Sequence, residues 1–371
     1  MGANKTLYRN DYTPAVCRDK SCFRGFFFFK KQVVCYNIHM NEIALYRKYR
    51  PQSFKDVLGQ EHIVKVLEGS ISLGNISHAY LFAGSRGTGK TSIARIFARA
   101  IGSSGNDIYE IDAASNRGID DIRELRESVN TLPFESSYKV YIIDEVHMLT
   151  KEAFNALLKT LEEPPRHVVF VLATTEIDKL PETVISRCQV FTFRKPTQKI
   201  LKDLVLNIAK KEGFKLEPSS ADLIALLGEG SFRDTQGILQ KILSFSKDKK
   251  ISVEEVEKVA GAPRAGLVND FIKSIENKDL SGGLEVIKSA VFNDIDMLVY
   301  LKLVLRKMRT ILLLKYAPNM EASIKEEYSE EDFNFLKELS AKKESNINSK
   351  TLLEMLNTYD AVTRANIPEL P

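Results

Sequence analysis

The feature that most constrains the fold is the string GSRGTGKT at residues 84–91, which directly follows the apolar run AYLFA at 79–83. It matches G-x-x-x-x-G-K-[ST], the loop that holds phosphates between a strand and a helix. Glycines let backbone N–H groups turn toward a polyphosphate, and the positive end of the following helix attracts the negative charge of that polyphosphate. The sequence therefore predicts a nucleotide site whose phosphate-binding residues are Gly84, Ser85, Arg86, Gly87, Thr88, Gly89, Lys90, Thr91 and Ser92.

Two acidic residues form a second element that agrees with this loop. The string KVYIIDE at 139–145 is typical of a short buried strand that ends in Asp144 and Glu145. Lys90 would reach the β- and γ-phosphates, while Thr91 and Asp144 would complete a Mg²⁺ site. Glu145 would polarise the attacking water. An acidic pair after a strand can also be a solvated loop, but its position downstream of a phosphate loop favours the catalytic interpretation.

Length and composition indicate a protein of several ordinary domains. At 371 residues the chain is long enough for two or three domains, and 44% hydrophobic with 27% charged residues is typical of a soluble protein. No apolar run is long enough to span a bilayer, and we find no secretory signal. We therefore expect a cytoplasmic protein.

Residues 1–39 differ from the rest of the chain. They hold seven Lys and Arg against two Asp and Glu, so the net charge of +4 leaves residues 40–371 near −1. Bulk charge is therefore no argument for nucleic-acid binding. Cys17, Cys22, Cys35 and His39 could in principle close a zinc site, but their spacing fits only loosely. We expect an extension outside the fold, with no zinc.

From residue 40 onward the pattern predicts an α/β fold followed by helices. Apolar strands alternating with amphipathic helices indicate a parallel sheet covered on both faces, with the phosphate loop and the acidic pair at adjacent strand ends. Strands are predicted at 79–83, 108–112, 139–143, 168–173 and 189–193, with helices between them at roughly 57–73, 90–101, 118–130, 151–163 and 180–186. After Pro196 only helices are predicted. The proposed divisions are 1–39, 40–196, 197–262 and 263–371.

Several longer strings carry a resemblance to a known family. They are LYRKYRPQSF at 45–54, GQEH at 59–62, EIDAASN at 110–116, LLKTLEEPP at 157–165, SRC at 186–188 and GSFRD at 230–234. From residue 40 to about 370 the chain resembles the gamma/tau subunits of bacterial DNA polymerase III clamp loaders. The resemblance implies an AAA+ domain, a small helical lid domain and a helical collar domain for oligomerisation. It also implies an ATP- and Mg²⁺-dependent motor that loads a sliding clamp onto primed DNA.

The same resemblance assigns partners and three further catalytic residues. Thr175 matches the first sensor, a hydroxyl beside Glu145, and Arg233 matches the second sensor, which couples the γ-phosphate to the lid. Arg187 matches the arginine finger, which reaches into a neighbouring subunit's ATP; a helix-end arginine bonded to nearby carbonyls is the alternative. The implied partners are other gamma/tau copies, delta and delta-prime subunits, the sliding clamp and, through the assembly, primer-template DNA.

The resemblance also assigns residues beside the adenine, and the chain differs from the family in two features. Arg50 and Pro51 resemble the residues beside the adenine, with Val57 and Leu58 as apolar cover. Family members usually carry four zinc-binding cysteines before the EIDAASN string, whereas the interval 102–107 has none. The chain ends slightly short of the last collar helix and lacks the long tau extension. Collar assembly is therefore expected, and coupling to the polymerase is not.

Three alternatives remain within reach of these motifs. A delta-prime-like subunit shares the SRC string, although its phosphate loop is often degraded, whereas Lys90 and Thr91 are present here. A nucleotide-binding scaffold without hydrolysis would not need Glu145 and Thr175. A Holliday-junction helicase motor has a related fold but would not be expected to carry both the YRP string at 49–51 and the LEEPP string at 161–165.

The near-neutral main body generates a prediction about DNA. We expect no tight DNA binding by the chain alone, while Arg123 and Arg126 on the helix at 118–130 are candidates to contact phosphates in the assembly. Binding of primed DNA should then fall steeply with salt, and Arg123→Ala should reduce the slope of log affinity against log salt by about 1. An unchanged slope would mean that Arg123 pairs with acidic residues of its own helix.

Overall fold

The computed structural model describes residues 43–116, 118–246, 248–325, 328, 330–342 and 344–365, except for the side chains at 119–121 and 265. It also gives the backbone of two strands, β1 (Phe26–Phe29) and β2 (Gln32–Cys35), which pair as an antiparallel hairpin. These strands belong to a unit of residues 1–44, and residues 45–371 form a second unit. The zinc question at Cys17, Cys22 and His39 lies outside the described residues.

A parallel sheet of five strands forms the centre of the second unit. Its strands are β3 (Ala79–Ala83), β4 (Ile108–Asp112), β5 (Lys139–Asp144), β6 (Val168–Thr174) and β7 (Gln189–Thr192). Every neighbouring pair is parallel, in the order β4-β5-β6-β3-β7. The five predicted strands are confirmed, but the predicted adjacency of β3 and β5 is wrong. We expected the phosphate loop and the acidic pair at adjacent strand ends, whereas β6 lies between β3 and β5.

Helices cover both faces of the sheet because alternate strand residues point to opposite sides. Ala79 and Leu81 face a core shared with α4 and α5, and Tyr80 and Phe82 face a core shared with α2 and α3. The helices of this region are α1 (Leu45–Lys48), α2 (Glu61–Ser72), α3 (Lys90–Ala100), α4 (Ile119–Val129), α5 (Lys151–Glu162) and α6 (Glu182–Ile185). The predicted α/β class is confirmed.

Helices dominate the rest of the described chain. Four of them, which we call the lid helices, are α7 (Gln198–Lys211), α8 (Pro218–Leu227), α9 (Phe232–Phe245) and α10 (Val253–Ala260). Two short strands, β8 (Lys215–Leu216) and β9 (Lys250–Ile251), pair in parallel between them, so the prediction that only helices follow Pro196 is wrong. Their apolar core also contains Leu45 of α1, so the start of the chain's main body packs with the lid helices rather than with the sheet.

The last described segment has its own apolar core. It consists of α11 (Ala265–Asn277), α12 (Leu280–Phe292), α13 (Met297–Tyr316), α14 (Glu321–Lys325), α15 (Glu330–Ser340) and α16 (Ser349–Arg364). Val304, Met308 and Ile311 of α13 are fully buried in it. Within the described residues, no helix combines the length and apolar character that crossing a membrane requires.

Asp107 fixes the loop that leads into the acidic strand β5. Its side chain is fully buried and accepts hydrogen bonds from the backbone N–H groups of Phe134, Glu135 and Ser136 at 2.6–3.0 Å. Burial by itself would raise the pKa of this carboxyl group, but the three N–H groups outweigh burial and lower the pKa below its ordinary value. One charged acceptor therefore satisfies three backbone donors.

Replacing this acceptor should destabilise the protein. Asp107→Ala leaves buried N–H donors without a partner, so we expect the free energy of unfolding to fall by about 2–3 kcal/mol. Asp107→Asn keeps one oxygen acceptor and should lose less. Because the folded-state pKa is lowered, the stabilisation is present above the unfolded-state pKa of about 4 and is lost as the pH falls through the folded-state value. Urea unfolding of the three proteins at pH 7 and pH 3 measures both effects, and equal loss in both variants would contradict this role.

Candidate functional site

A cavity of about 640 Å³ lies at the carboxyl edge of the sheet, where the phosphate loop (residues 84–91) leads from β3 into α3. This volume is typical of a site for one small ligand. Gly89, at φ +100°, gives the loop the left-handed turn from which α3 begins. The predicted phosphate-binding residues that line the cavity are Arg86, Gly87, Thr88, Gly89, Lys90, Thr91 and Ser92.

Lys90 is held over the loop itself. Its ammonium group donates hydrogen bonds to the carbonyl oxygens of Gly84 and Ser85 at 2.7 and 3.0 Å. Gly84 and Ser85 therefore do not line the cavity themselves, but they hold the amine of Lys90, which does. Burial lowers the pKa of Lys90, and the nearby carboxylates of Glu145 and Asp144 oppose that shift. The amine is positioned by the loop and faces acidic groups that sustain its charge.

Thr91 and Asp144 meet although their strands are not neighbours. The Thr91 hydroxyl donates to Asp144 Oδ2 at 2.7 Å, across the end of the intervening strand β6. A hydroxyl and a carboxylate are oxygen ligands of the kind that Mg²⁺ accepts, with nucleotide phosphates and waters supplying the remaining positions. Among the described residues no group of three His, Cys, Asp or Glu side chains could hold a metal by itself. The pair thus fits an ion that is brought with a phosphate ligand.

Glu145 stands next to this pair in a strained backbone conformation. Its φ is +48°, in the left-handed region that residues other than glycine rarely adopt and that costs on the order of 1–3 kcal/mol. The turn separates the Glu145 side chain from that of Asp144, and both side chains line the cavity. Thr175, the first residue after β6, donates a hydrogen bond to Glu145 Oε2 at 3.0 Å. The structure therefore brings the predicted general base and first sensor together.

Positive charge surrounds the outer part of the cavity. Arg50, Arg95 and Arg233 all line it. Burial lowers the pKa of Arg50, and repulsion from Arg95 lowers it further. The Arg95 Nε atom is buried and has no hydrogen-bond partner among the described residues, although the same side chain pairs with Glu110. Such a cluster of cations is suited to a polyphosphate.

The lid helices contribute directly to the cavity. Arg233, in the first turn of α9, places its guanidinium 4.9 Å from the ring centroid of Tyr46. The neighbouring Phe232 donates its backbone N–H to the carbonyl of Gly87 in the phosphate loop at 2.9 Å. The four residues predicted beside the adenine, Arg50, Pro51, Val57 and Leu58, line the same cavity.

Arg187 lies away from the cavity of its own chain. It follows α6, and its guanidinium donates hydrogen bonds to the carbonyl of Thr183 at 2.8 Å and to Glu162 Oε1 at 2.7 Å. Both side chains of the ion pair are partly exposed, Arg187 at 34% and Glu162 at 49%. The carbonyl contact is the one that a helix-end arginine makes, and the position leaves the residue at the surface.

Sequence reasoning missed three residues that contact the predicted set. Tyr46 and Glu162 lie inside the quoted strings but received no role, yet they contact Arg233 and Arg187. His147 follows the acidic pair by two residues, and its Nδ1 lies 3.5 Å from Glu145 Oε2. Its spacing from Glu145 in the sequence was the only available signal. Cys188 packs against the apolar core that the sheet shares with α4 and α5, and burial raises the pKa of its thiol to about 12.

Comparison with known proteins identifies relatives over most of the chain. A family model described as DNA polymerase III, delta subunit, matches residues 59–116 and 104–197. DNA polymerase III subunit tau of Bacillus subtilis is 41% identical over 320 residues, which cover 81% of this chain and 57% of that protein. DNA polymerase III subunit gamma of Buchnera aphidicola subsp. Baizongia pistaciae is 36% identical over 303 residues, which cover 76% of this chain and 82% of that protein.

The chain spans about half the length of the first tau and gamma/tau relatives that it matches. Among solved structures, a variant of RuvB from Thermotoga maritima aligns with a TM-score of 0.51 at 23% identity, covering 62% of this chain and 79% of that chain. Another RuvB structure from the same organism, a Holliday junction branch migration motor, gives 0.50 at 24% identity, covering 61% and 79%. At this level of identity the likeness shows the AAA+ fold alone.

Proposed function

The chain belongs to the gamma/tau family of DNA polymerase III subunits, and we propose that it is a Mg²⁺-dependent ATPase serving as a motor subunit of a clamp loader. The reaction would transfer the γ-phosphoryl group of ATP to water, giving ADP and phosphate. The proposed setting is cytoplasmic DNA replication, with the sliding clamp and primed DNA as the substrates of loading. The predicted divisions at residues 40–196, 197–262 and 263–371 are retained as part of the proposal.

One observation supports the proposal that the chain hydrolyses ATP and does not only bind it. The Thr175 hydroxyl contacts the Glu145 carboxylate at 3.0 Å beside the pair of Thr91 and Asp144. A scaffold that only binds nucleotide has no need for a second carboxylate held in a strained turn and oriented by a hydroxyl. This arrangement supports a general base with a fixed direction.

Each residue then has a distinct task. Lys90 and the N–H groups of the phosphate loop would bind the β- and γ-phosphates, and Thr91 with Asp144 would hold Mg²⁺, which when bound neutralises charge on those phosphates. Glu145 would accept a proton from the attacking water. The water oxygen would form a bond to the γ-phosphorus while the bond between that phosphorus and the β,γ-bridging oxygen breaks. Arg233 would leave the ring of Tyr46 and contact a phosphate of the nucleotide. Nucleotide binding would thereby change the position of α9, which carries Arg233.

Arg187 completes the proposal as a residue that acts in a neighbouring subunit. Its distance from its own cavity supports this role, since it would otherwise have no route to a γ-phosphate. A guanidinium stabilises the charge that develops on the transferred group, typically by a factor of 10³–10⁵ in rate. Assembly with gamma/tau, delta and delta-prime subunits would thereby be coupled to hydrolysis.

Two substitutions separate binding from turnover. Lys90→Ala removes the fixed cation of the phosphate loop, so ATP affinity measured by titration should be lost. Glu145→Gln keeps the shape but not the basicity, so binding should persist while turnover falls by about 10²-fold or more. Lys65→Ala and Glu152→Gln, at exposed positions on α2 and α5, are matched controls. Turnover of Glu145→Gln at the parental rate would refute the assignment of the base.

Mixing variants tests whether the active site is shared. Arg187→Ala should bind ATP normally but hydrolyse it at least about 10³-fold more slowly. Combined with Lys90→Ala protein, it should regain activity, because each variant keeps the half-site that the other lacks. Arg166→Ala, an exposed arginine on the neighbouring loop, serves as the control. A fully active Arg187→Ala monomer would exclude action between subunits.

A further inference from the structure

His147 is a buried imidazole immediately behind the acidic pair. It lies in a short 3-10 turn, Val146–Met148, which follows the strained residue Glu145. Its side chain is 6% exposed. Glu145 lines the cavity and His147 does not, so His147 reaches the ligand space only through the residues that it contacts.

One ring nitrogen contacts both halves of the hydrolysis site. Nδ1 lies 3.0 Å from the Thr174 hydroxyl and 3.5 Å from Glu145 Oε2. Thr174 is fully buried at the end of β6 and directly precedes Thr175. The imidazole therefore lies between the strand end that carries the first sensor and the carboxylate to which that sensor donates.

The other ring nitrogen is also accounted for. Nε2 lies 3.5 Å from Glu176 Oε1, and Glu176 donates its backbone N–H to the Thr174 hydroxyl at 3.0 Å. Glu176 in turn forms an ion pair with Lys179. The ring thus has the Thr174 hydroxyl as a hydrogen-bond partner of Nδ1, and a carboxylate lies 3.5 Å from each of its nitrogens.

We propose that His147 is a positioning residue that fixes Glu145 in the orientation needed to activate water. The proposal rests on the proposed ATPase function, since it concerns the base of that reaction. A glutamate side chain loses rotamer freedom when it is held in one orientation, and a single hydrogen bond from Thr175 restrains only one oxygen. His147 places Nδ1 3.5 Å from the same oxygen, and its 3.0 Å contact with the Thr174 hydroxyl holds the strand end from which Thr175 acts. Second contacts of this kind commonly change activity 10–100-fold.

The experiment measures ATP hydrolysis by the full chain in its reconstituted assembly. His147→Ala should lower kcat about 10–100-fold and leave KM and nucleotide affinity within about twofold, because the phosphate loop is untouched. His147→Asn places an amide nitrogen near the position of Nδ1 and should recover most of the lost turnover. His167→Asn is the matched control, since that ring bonds the carbonyls of Val129 and Thr131 away from the cavity.

A second measurement isolates the path through Glu145. In the Glu145→Gln background, His147→Ala should cause little further loss, because a positioning residue acts only through the group that it positions. A fully additive loss, or a His147→Asn variant that binds nucleotide but stays as slow as His147→Ala, would overturn the proposal. If His147→Ala fails to bind nucleotide, His147→Leu replaces it, filling the space without a ring nitrogen, with the same expected loss of kcat.

The outcomes also separate this proposal from the function on which it rests. A His147→Ala variant with kcat within twofold of the parent, in an assembly that Glu145→Gln inactivates, would overturn the positioning role alone. Parental turnover by Glu145→Gln would instead refute the proposed base, and the positioning role would be overturned with it.

Discussion

Close packing of the phosphate loop is the constraint on which the rest of the structure depends. A Cβ atom at Gly84 would lie 2.7 Å from the carbonyl oxygen of Phe193, and one at Gly87 would lie 1.9 Å from the Ser231 hydroxyl. The first contact ties the loop to the segment after β7, and the second ties it to the N-terminal end of α9. Neither contact leaves room for a side chain, so the phosphate loop packs directly against both of these segments.

The same packing explains how charge is gathered at one edge of the sheet. Parallel strands place their carboxyl ends together, so the residues after β3, β5 and β6 converge whatever their separation in the sequence. Lys90 is buried there, which disfavours its charge, while Asp144 and Glu145 favour it. Arg50, which follows α1, Arg95 of α3 and Arg233 of α9 also line the cavity. The cavity therefore gathers cationic side chains whose charge a bound polyanion would neutralise.

Arg187 illustrates a residue whose contact in the single chain is easily exchanged. A partly exposed ion pair such as the one with Glu162 contributes about 0–1 kcal/mol, because water screens it. A bidentate contact between a guanidinium and a phosphate is stronger. Glu162 therefore holds the Arg187 side chain only weakly, and the short helix α6, which precedes Arg187, packs against α5, which carries Glu162. The proposed action of Arg187 in a neighbouring subunit requires only that this weak ion pair be exchanged.

The sequence alone determined the local elements and their chemistry. Periodicity placed five strands within about a residue of their positions, and the string at 84–91 predicted a loop, a helix start and a ligand class, because these depend on neighbours in the chain. Family resemblance supplied Thr175, whose contact with Glu145 appears in the structure. Only the tertiary structure decided the strand order, which puts β6 between β3 and β5. It also decided the positions of Leu45, Tyr46, Glu162 and His147, because their partners are set by long-range packing that no local pattern encodes.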